Sequence, residues 1–412
     1  MKECIILAGG LGTRLREAVP DLPKCMAPVA GRPFLYHVIN HLRAQGISHF
    51  IFSLGYKHEL VEQYLQSSFS TMDYITVVEE EPLGTGGAIA LALTKVQGDR
   101  VLVTNGDTLF KINLTGLEKV FEESQPLATL ALKPMENFDR YGVVETNGHR
   151  INGFSEKQHY DKGLINGGTY LLDVNRFREL DLPAKFSFET SVLETEAANG
   201  TLTASIQDGY FIDIGIPGDF AKAGTDLALP PLDLKKIDKS WTLFLDRDGV
   251  VNVDHPGSYI FKPEEFEFLE GAPAFFKGLT ARFGRIIIAT NQRGVGRKLM
   301  TDDDLALVNK KMTDAISDAG GEILDIYAAT ALRDNDKYRK PNPGMAYKAK
   351  QDYPEIDFSR SIMVGNNITD MEFGRNAGMY TVFVTTTSPE VTLPHPDIDL
   401  LYPTLRDFAK AL

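Results

Sequence analysis

Short apolar runs alternate with longer amphipathic stretches along nearly the whole chain, and this alternation constrains the fold more than any other feature. Runs such as Cys4–Ala8 and Val101–Thr104 have the length of strands, and Pro33–Ala44 keeps its apolar residues on one helical face. Strands alternating with helices predict a mainly parallel sheet covered on both faces. From Ala128 to Leu172 the runs follow one another like hairpins, which predicts added antiparallel structure. We therefore expect an α/β fold with a mixed, mainly parallel first sheet.

The alternation is interrupted once, at residues 228–240, which read ALPPLDLKKIDKS. This stretch has two prolines, mixed charges and no periodic apolar face, as linkers do. A second alternation starts with Trp241–Leu245, and 412 residues are too many for one ordinary core. We predict domains at 1–227 and 241–412, joined by a linker at 228–240.

Composition excludes some function classes. The formal net charge of −13 argues against broad nucleic-acid binding, although a single pocket can still be basic. The two cysteines, Cys4 and Cys25, lack metal-ligand spacing and suggest a reducing compartment. No apolar run approaches the ~18 residues of a membrane span. The expectation is a cytoplasmic protein with no membrane or nucleic-acid partner.

A glycine-rich loop follows the first predicted strand, in the segment LAGGLGTRL. Such a loop lies at the carboxyl end of a strand, where α/β sheets bind ligands, and its N–H groups can face phosphate oxygens. Glycines alone would equally fit a plain strand-to-helix turn. Arg14 and Lys24 add two cations, and the combination favours phosphate binding.

Two aspartates end apolar runs further along the first domain. Asp107 follows Val101–Thr104, and Asp213 lies in YFIDIG. Each alone fits a turn, but together they are suited to one Mg²⁺ held against a triphosphate.

The motifs of the first domain resemble those of the sugar-1-phosphate nucleotidyltransferase family, in family order over residues 1–225. Besides the glycine-rich loop, the segments that carry the resemblance are PKCMAPVAGRPFL, EPLGTGGAI, NGDTLF, FSEK, NGGTYLL and FIDIGIPGDF. The segment Val19–Leu35 is most similar to the heptose 1-phosphate guanylyltransferases. The resemblance implies a Rossmann-like domain that uses GTP and a sugar phosphate, and it leaves a homo-oligomer possible.

The same resemblance implies roles for residues of this domain. Arg14 and Lys24 would be catalytic, and Asp107 and Asp213 would bind Mg²⁺. The nucleotide would contact Gly9, Gly10, Gly12, Thr13, Glu81, Gly84 and Thr85. The sugar phosphate would contact Glu156, Lys157, Asn166 and Gly168.

The second domain opens with FLDRDGVVNVD, in which two aspartates two residues apart leave an apolar strand on the same side of the chain. Asp246 is placed to attack phosphorus, and Asp248 to act as general acid and base. A calcium-binding loop is the competing interpretation of D-x-D-G, but its further ligands do not follow at the required spacing.

Three later segments supply what a phosphatase site needs. Thr290 and Asn291 end another predicted strand, and Arg339 and Lys340 offer cations for a phosphate. The turn VGNNITD, which contains Asn366 and Asp370, is placed to face a metal.

This pattern resembles the haloacid dehalogenase superfamily over residues 241–387, and particularly its heptose bisphosphate and histidinol-phosphate phosphatases. The resemblance implies a second Rossmann-like domain with Asp246 as nucleophile, Thr290 and Lys340 on the phosphate, and Mg²⁺ between Asp246, Asp248 and the turn near Asp370. Asn366 departs from the aspartate of close relatives and should bind Mg²⁺ more weakly. Residues 328–338 have no cysteine or histidine, so we predict no structural zinc.

Together the two resemblances imply a bifunctional transferase and hydrolase of nucleotide-sugar biosynthesis, with Mg²⁺ at both sites. The phosphatase would remove the C7 phosphate of a heptose 1,7-bisphosphate, and the transferase would couple the 1-phosphate to GTP. Two alternatives stay open: a hexose such as mannose as the sugar, and a second domain that is a non-catalytic scaffold.

Overall fold

The computed structural model describes residues 2–10, 15, 19–255 and 257–412. The chain divides into two compact units, Met1–Ala228 and Leu229–Leu412. No helix among the described residues is both long enough and apolar enough to cross a membrane.

In the described part of the first unit, nine strands form one mixed sheet in the order β5-β4-β1-β6-β11-β8-β12-β10-β9. Two further pairs, β7 with β13 and β2 with β3, lie outside it. The strands are β1 Glu3–Ala8, β2 Pro28–Val29, β3 Arg32–Pro33, β4 His49–Leu54, β5 Asp73–Val78, β6 Arg100–Asn105, β7 Thr108–Phe110, β8 Ala128–Phe138, β9 Val144–Asn147, β10 Arg150–Phe154, β11 Tyr160–Asp173, β12 Leu202–Ile206 and β13 Phe211–Asp213.

The strands β5, β4, β1 and β6 are parallel, and β11 runs antiparallel to both β6 and β8. The predicted hairpin strands are therefore part of the main sheet rather than a separate layer beside it. The α/β class and the mixed sheet predicted from the sequence are confirmed.

Helices cover both faces of this sheet. They are α1 Phe34–Ala44, α2 His58–Ser68, α3 Gly84–Leu93, α4 Leu114–Ser124, α5 Val174–Arg178, α6 Glu194–Asn199 and α7 Pro217–Asp226, with a π-helical turn at Glu189–Leu193 and a 3₁₀ turn at Lys24–Met26. Successive side chains of β1 enter different cores, with Cys4 and Ile6 in one and Ile5 in the other. Because both faces are covered, the strand is apolar throughout instead of alternating.

In the second unit, six parallel strands have the order β16-β15-β14-β17-β18-β19. This is the doubly wound order 3-2-1-4-5-6, so the Rossmann-like prediction is confirmed. The strands are β14 Thr242–Leu245, β15 Arg285–Asn291, β16 Asp325–Ala329, β17 Ser361–Gly365, β18 Tyr380–Val384 and β19 Leu400–Tyr402. The helices are α8 Phe276–Arg282, α9 Arg293–Gly296, α10 Asp302–Asp318, α11 Gly344–Asp352, α12 Ile368–Ala377 and α13 Leu405–Ala411.

The segment predicted as a linker, 228–240, belongs almost entirely to the second unit. Ile237 is buried in a core of that unit, and Leu229, Leu232 and Leu234 pack against the same core. Its apolar residues lack helical or strand periodicity because they dock individually, with only a 3₁₀ turn at Leu234–Lys236.

The glycines at the start of α3 allow a close approach to the segment around Phe186. A Cβ on Gly87 would lie 2.5 Å from the carbonyl oxygen of Ala184, and one on Gly84, whose φ is +74°, would lie 2.5 Å from that of Phe186. Backbone hydrogen bonds from Gly86 N to Phe186 O and from Phe186 N to Leu83 O fix this contact. The motif therefore has a packing function of its own.

We predict that Gly87→Ala lowers the free energy of unfolding by about 1–3 kcal/mol, because the new methyl group overlaps a backbone carbonyl that cannot rotate away. The matched control is Gly224→Ala in α7, where an added Cβ meets no atom of the described residues within 4 Å. That change should be neutral or stabilise by roughly 0.5–1 kcal/mol. Denaturant titrations followed by far-ultraviolet circular dichroism compare the two. Equal stability of both variants would contradict the proposed close approach.

Candidate active sites

The first candidate site lies at the topological switch point of the nine-stranded sheet. There β1 leads into Gly9 and Gly10, and its neighbour β6 leads into Asp107. From β1 the chain goes on to β4 and β5 on one side of the sheet, whereas β6 lies on the other side of β1. The strand order therefore reverses direction between β1 and β6. Ligands of open α/β sheets bind in the crevice formed at such a point.

Asp107 and Asp213 converge on one lysine in this crevice. Lys24 Nζ lies 2.6 Å from Asp107 Oδ2 and 3.1 Å from Asp213 Oδ1. The antiparallel pair β7–β13 brings the aspartates together, since Asp213 is opposite Thr108 in its register. Burial alone would lower the pKa of Lys24, but the two carboxylates outweigh it and raise that pKa. The ammonium is therefore a fixed positive charge.

The glycine-rich loop is described only in part. Gly12, Thr13 and Arg14, which the sequence analysis assigned to phosphate binding and catalysis, lie outside the described residues. A Cβ on Gly9 would come within 3.3 Å of the backbone of Gly55, whereas one on Gly10 would meet no described residue within 4 Å. Gly9 thus permits a close approach between the ends of β1 and β4.

The residues predicted to contact base and ribose have unequal surroundings. Thr85 Oγ1 donates to Glu189 Oε2 at 2.7 Å and accepts from Phe188 N at 2.9 Å, so its hydroxyl is engaged within the protein. Glu81 is exposed. Glu79 was missed by the sequence analysis: it accepts a hydrogen bond from Leu83 N and lies beside Gly9.

A cavity of about 670 Å³ adjoins this site. It is lined by all four predicted sugar-phosphate residues, Glu156, Lys157, Asn166 and Gly168, and by Asp213. A β-bulge between Asn166 and Tyr170 shifts the register of β11 and admits Gly168 at a φ of +69°. Among the lining residues that the sequence did not predict are Tyr141, Tyr170, Glu189 and Glu194.

The donor set of the first site fits Mg²⁺. Among the described residues, no three or more His, Cys, Asp and Glu cluster as metal ligands. The carboxylates of Asp107 and Asp213 are close enough to share one cation, because both lie within 3.1 Å of the Lys24 ammonium nitrogen. Mg²⁺ is commonly held by one or two carboxylates, with substrate phosphates and water completing its shell.

The second candidate site lies at the switch point of the six-stranded sheet, where β14 ends before Asp246 and β17 ends before Asn366. Lys340 Nζ forms ion pairs with Asp246 Oδ1 at 2.8 Å and with Asp370 Oδ1 at 2.6 Å. Only 2% of the Lys340 side chain is exposed, so the two carboxylates, rather than water, stabilise its positive charge. Burial raises the pKa of Asp246, and Lys340 opposes that rise.

Three donors hold the predicted acid and base, Asp248. They are the fully buried Arg247 guanidinium at 3.1 Å, Asn252 Nδ2 at 3.0 Å and Gln292 Nε2 at 2.7 Å. Gln292 also donates to Thr290 Oγ1 at 2.9 Å, which ties the strand β15 to Asp248. None of these three donors was predicted, although Arg247 and Asn252 lie within FLDRDGVVNVD and Gln292 directly follows Asn291.

The predicted phosphate-binding residues of this site divide into two groups. Thr290 is buried, and its hydroxyl accepts a hydrogen bond from Gln292, which also donates to Asp248. Asn291 Oδ1 accepts from the backbone N–H of Lys340 at 3.0 Å. Arg339 instead pairs with Asp334, at 3.3 Å, which also pairs with Arg293. The structure therefore brings Thr290, Asn291 and Lys340 together and directs Arg339 elsewhere.

The second site also fits Mg²⁺, because its candidate ligands are oxygen donors at the ends of β14 and β17. Asn366 is only 5% exposed, and its Nδ2 donates to Thr387 Oγ1 at 2.8 Å, which leaves the amide oxygen for a cation. Both oxygens of Asp370 are already engaged, one by Lys340 and the other by Asn367 N. Asp370 therefore primarily fixes Lys340.

Comparison with known proteins assigns both units. Residues 3–228 match the family model described as nucleotidyl transferase, which is more than half of the chain. The chain belongs to the nucleotidyl transferase family. Residues 243–389 of this nucleotidyltransferase match the model described as polynucleotide kinase 3 phosphatase. The predictions of a transferase unit and of a phosphatase unit are confirmed.

Relatives of the transferase unit match over almost their full length. The D-glycero-alpha-D-manno-heptose 1-phosphate guanylyltransferase of Aneurinibacillus thermoaerophilus is 46% identical, covering 55% of this chain and 98% of that protein. Its counterpart from Campylobacter jejuni is 43% identical, covering 53% and 96%. The crystal structure of HddC from Yersinia pseudotuberculosis is 35% identical, with a TM-score of 0.50 and coverage of 55% and 99%.

We predict that Lys340→Met destabilises the phosphatase unit by about 3–5 kcal/mol, because it leaves Asp246 and Asp370 buried without a counter-charge. The sole tryptophan, Trp241, lies in this unit, so its fluorescence reports the unit's unfolding in denaturant. Lys348→Met is the control, since Lys348 forms an exposed ion pair with Asp352, and it should leave the transition unchanged. Equal transitions for both variants would show that Lys340 is not needed for stability.

Proposed function

We propose that this chain makes a nucleotide-activated heptose by two successive reactions. The phosphatase unit hydrolyses the C7 phosphate of a heptose 1,7-bisphosphate, and the transferase unit joins the remaining heptose 1-phosphate to GTP with release of pyrophosphate. The observation that carries this proposal is that one chain holds two complete lysine–carboxylate constellations, one for each reaction.

In the transferase reaction, an oxygen of the sugar 1-phosphate attacks the α-phosphorus of GTP in line. A new phosphorus–oxygen bond forms, the bond to the bridging oxygen breaks, and pyrophosphate leaves with that electron pair. Lys24, fixed by Asp107 and Asp213, supplies positive charge where negative charge develops on the phosphoryl oxygens. Lys157 holds the phosphate of the sugar, and Arg14 acts on the triphosphate.

In the phosphatase reaction, the carboxylate of Asp246 attacks phosphorus and forms an aspartyl-phosphate. The ester bond breaks as the sugar oxygen takes a proton from Asp248. Water then attacks the aspartyl-phosphate and gives a proton to Asp248, which releases inorganic phosphate and restores both groups. Asp246 is suited to attack because Lys340 Nζ and the backbone N–H of Arg247 both engage its Oδ1 and hold the carboxylate in place, and Oδ2 would be the attacking atom.

Mg²⁺ is the proposed cofactor of both sites, where it would neutralise phosphate charge. Asp107 and Asp213 would hold it in the transferase unit. In the phosphatase unit the ligands would be Asp246, Asp248 and Asn366, with Asp370 nearby.

Heptose is proposed because the relatives that match over nearly their full length are named for heptose 1-phosphate. A phosphatase in the same chain then supplies that 1-phosphate if it removes the phosphate at C7. A sugar phosphate is preferred over a polynucleotide as its substrate, because the net charge of −13 repels a phosphate backbone.

We predict that the full chain, given D-glycero-D-manno-heptose 1,7-bisphosphate, GTP and Mg²⁺, releases inorganic phosphate, then pyrophosphate, and forms GDP-heptose. Chromatography of the nucleotide sugar and separate assays of the two anions measure this order. Panels of UTP, CTP and dTTP, and of mannose 1-phosphate, test the base and the sugar. Product from mannose 1-phosphate without product from heptose 1-phosphate would refute the heptose assignment and favour the hexose alternative.

We further predict that the two activities separate by single substitutions. Asp246→Asn should reduce phosphate release by at least about 10³-fold, because an amide does not form the acyl phosphate, and leave pyrophosphate release from heptose 1-phosphate unchanged. Asp213→Asn should do the reverse, with a loss of roughly 10²- to 10³-fold in pyrophosphate release. Each variant is the control for the other. Absence of phosphate release in the unmodified chain would favour the scaffold alternative for the second unit.

A further inference from the structure

The cavity of about 670 Å³ contains carboxylates to which the proposed reaction assigns no role. Glu189 and Glu194 both line this cavity; Glu189 begins the π-helical turn Glu189–Leu193, and Glu194 directly follows it. Single π-helical turns are rare and are frequently found at functional sites. A carboxylate repels a phosphate, whereas it can accept hydrogen bonds from the hydroxyl groups of a sugar.

Glu189 is held in a defined orientation. Its Oε2 accepts hydrogen bonds from Thr85 Oγ1 at 2.7 Å and from Ser187 Oγ at 2.8 Å. Both hydrogen bonds that the described residues give this carboxylate go to Oε2, which leaves Oε1 to accept from a ligand. Thr85 is itself fixed by Phe188 N, so the whole arrangement is preorganised.

Glu189 also lies near a buried donor. Burial raises the pKa of Tyr170, and the Glu189 carboxylate adds to that rise, so the phenol stays protonated. Its oxygen accepts from Asn166 Nδ2 at 3.0 Å, which leaves the phenol proton to be donated. Asn166, Tyr170 and Glu189 all line the cavity, so the cavity contains a protonated phenol and a carboxylate in addition to the predicted sugar-phosphate residues.

We propose that Glu189 is a specificity-determining residue of the transferase, whose Oε1 accepts a hydrogen bond from a sugar hydroxyl remote from the phosphate, with Thr85 and Ser187 as positioning residues. The recognised group is a polyol hydroxyl, for which a charged acceptor beside a phenol donor is well suited. This inference rests on the proposed function, because it assumes that the cavity holds the sugar 1-phosphate.

The test compares Glu189→Gln with the unmodified full chain, by isothermal titration calorimetry with heptose 1-phosphate and by steady-state kinetics. The affinity for the sugar 1-phosphate should fall by roughly 10- to 100-fold, as for loss of a hydrogen bond to a charged group, while KM for GTP changes less than about twofold. Glu196→Gln is the matched control: Glu196 also accepts hydroxyl hydrogen bonds, from Thr201, but does not line the cavity.

A series of monodeoxy sugar 1-phosphates identifies the hydroxyl. The analogue lacking the recognised hydroxyl should bind the unmodified chain weakly and lose no further affinity with Glu189→Gln, because the same hydrogen bond is already absent. Unchanged affinity of Glu189→Gln for every sugar 1-phosphate, or an equal loss for GTP, would overturn the proposal. Should Glu189→Gln not fold, Ser187→Ala replaces it, and there an unchanged sugar affinity has the same meaning.

The calorimetry also separates this inference from the proposed function. It needs no turnover, so the Glu189 effect can be measured on whichever sugar 1-phosphate binds. If mannose 1-phosphate binds and heptose 1-phosphate does not, the heptose assignment fails while Glu189 is still tested on mannose. If no sugar 1-phosphate binds the unmodified chain, both fail.

Discussion

In both units, one lysine ammonium holds two carboxylates that would otherwise repel each other. Lys24 joins Asp107 to Asp213, and Lys340 joins Asp246 to Asp370. Each arrangement stands at a topological switch point, where neighbouring strands end together and their connections diverge. The two sheets therefore determine where the carboxylates come together, and the lysines offset the repulsion between those carboxylates.

The two constellations differ in burial, and this difference suits their chemistry. The side chain of Lys24 is 16% exposed and that of Lys340 only 2%. The proposed nucleotidyl transfer exchanges one phosphoanhydride bond for another and needs an accessible charge that a triphosphate can approach. Formation of an aspartyl-phosphate benefits from a drier site, in which a carboxylate is a stronger nucleophile and competing water is excluded.

Sequence patterns predicted the parts of both sites that lie at strand ends. Asp107 and Asp213 are far apart in sequence, yet each ends an apolar run, and the antiparallel pair β7–β13 brings them together. Gln292 and Glu189 were not predicted, because their roles depend on contacts with residues about 40 to 100 positions away that leave no local pattern. The antiparallel strands of the first sheet were recognised, but their order within it depends on pairing that no short segment encodes.

Thr85 has partners within the protein that its motif did not indicate. Its motif suggested contact with the nucleotide, whereas its hydroxyl bridges Phe188 N and Glu189 Oε2. The neighbouring glycines permit that bridge, because a side chain at Gly84 or Gly87 would push the backbone of the Phe186 segment away. A glycine-rich helix start can therefore shape a cavity indirectly: it lets two segments approach until a carboxylate on one is fixed by a hydroxyl on the other. On this account, the shape of the cavity depends on backbone packing as much as on the residues that line it.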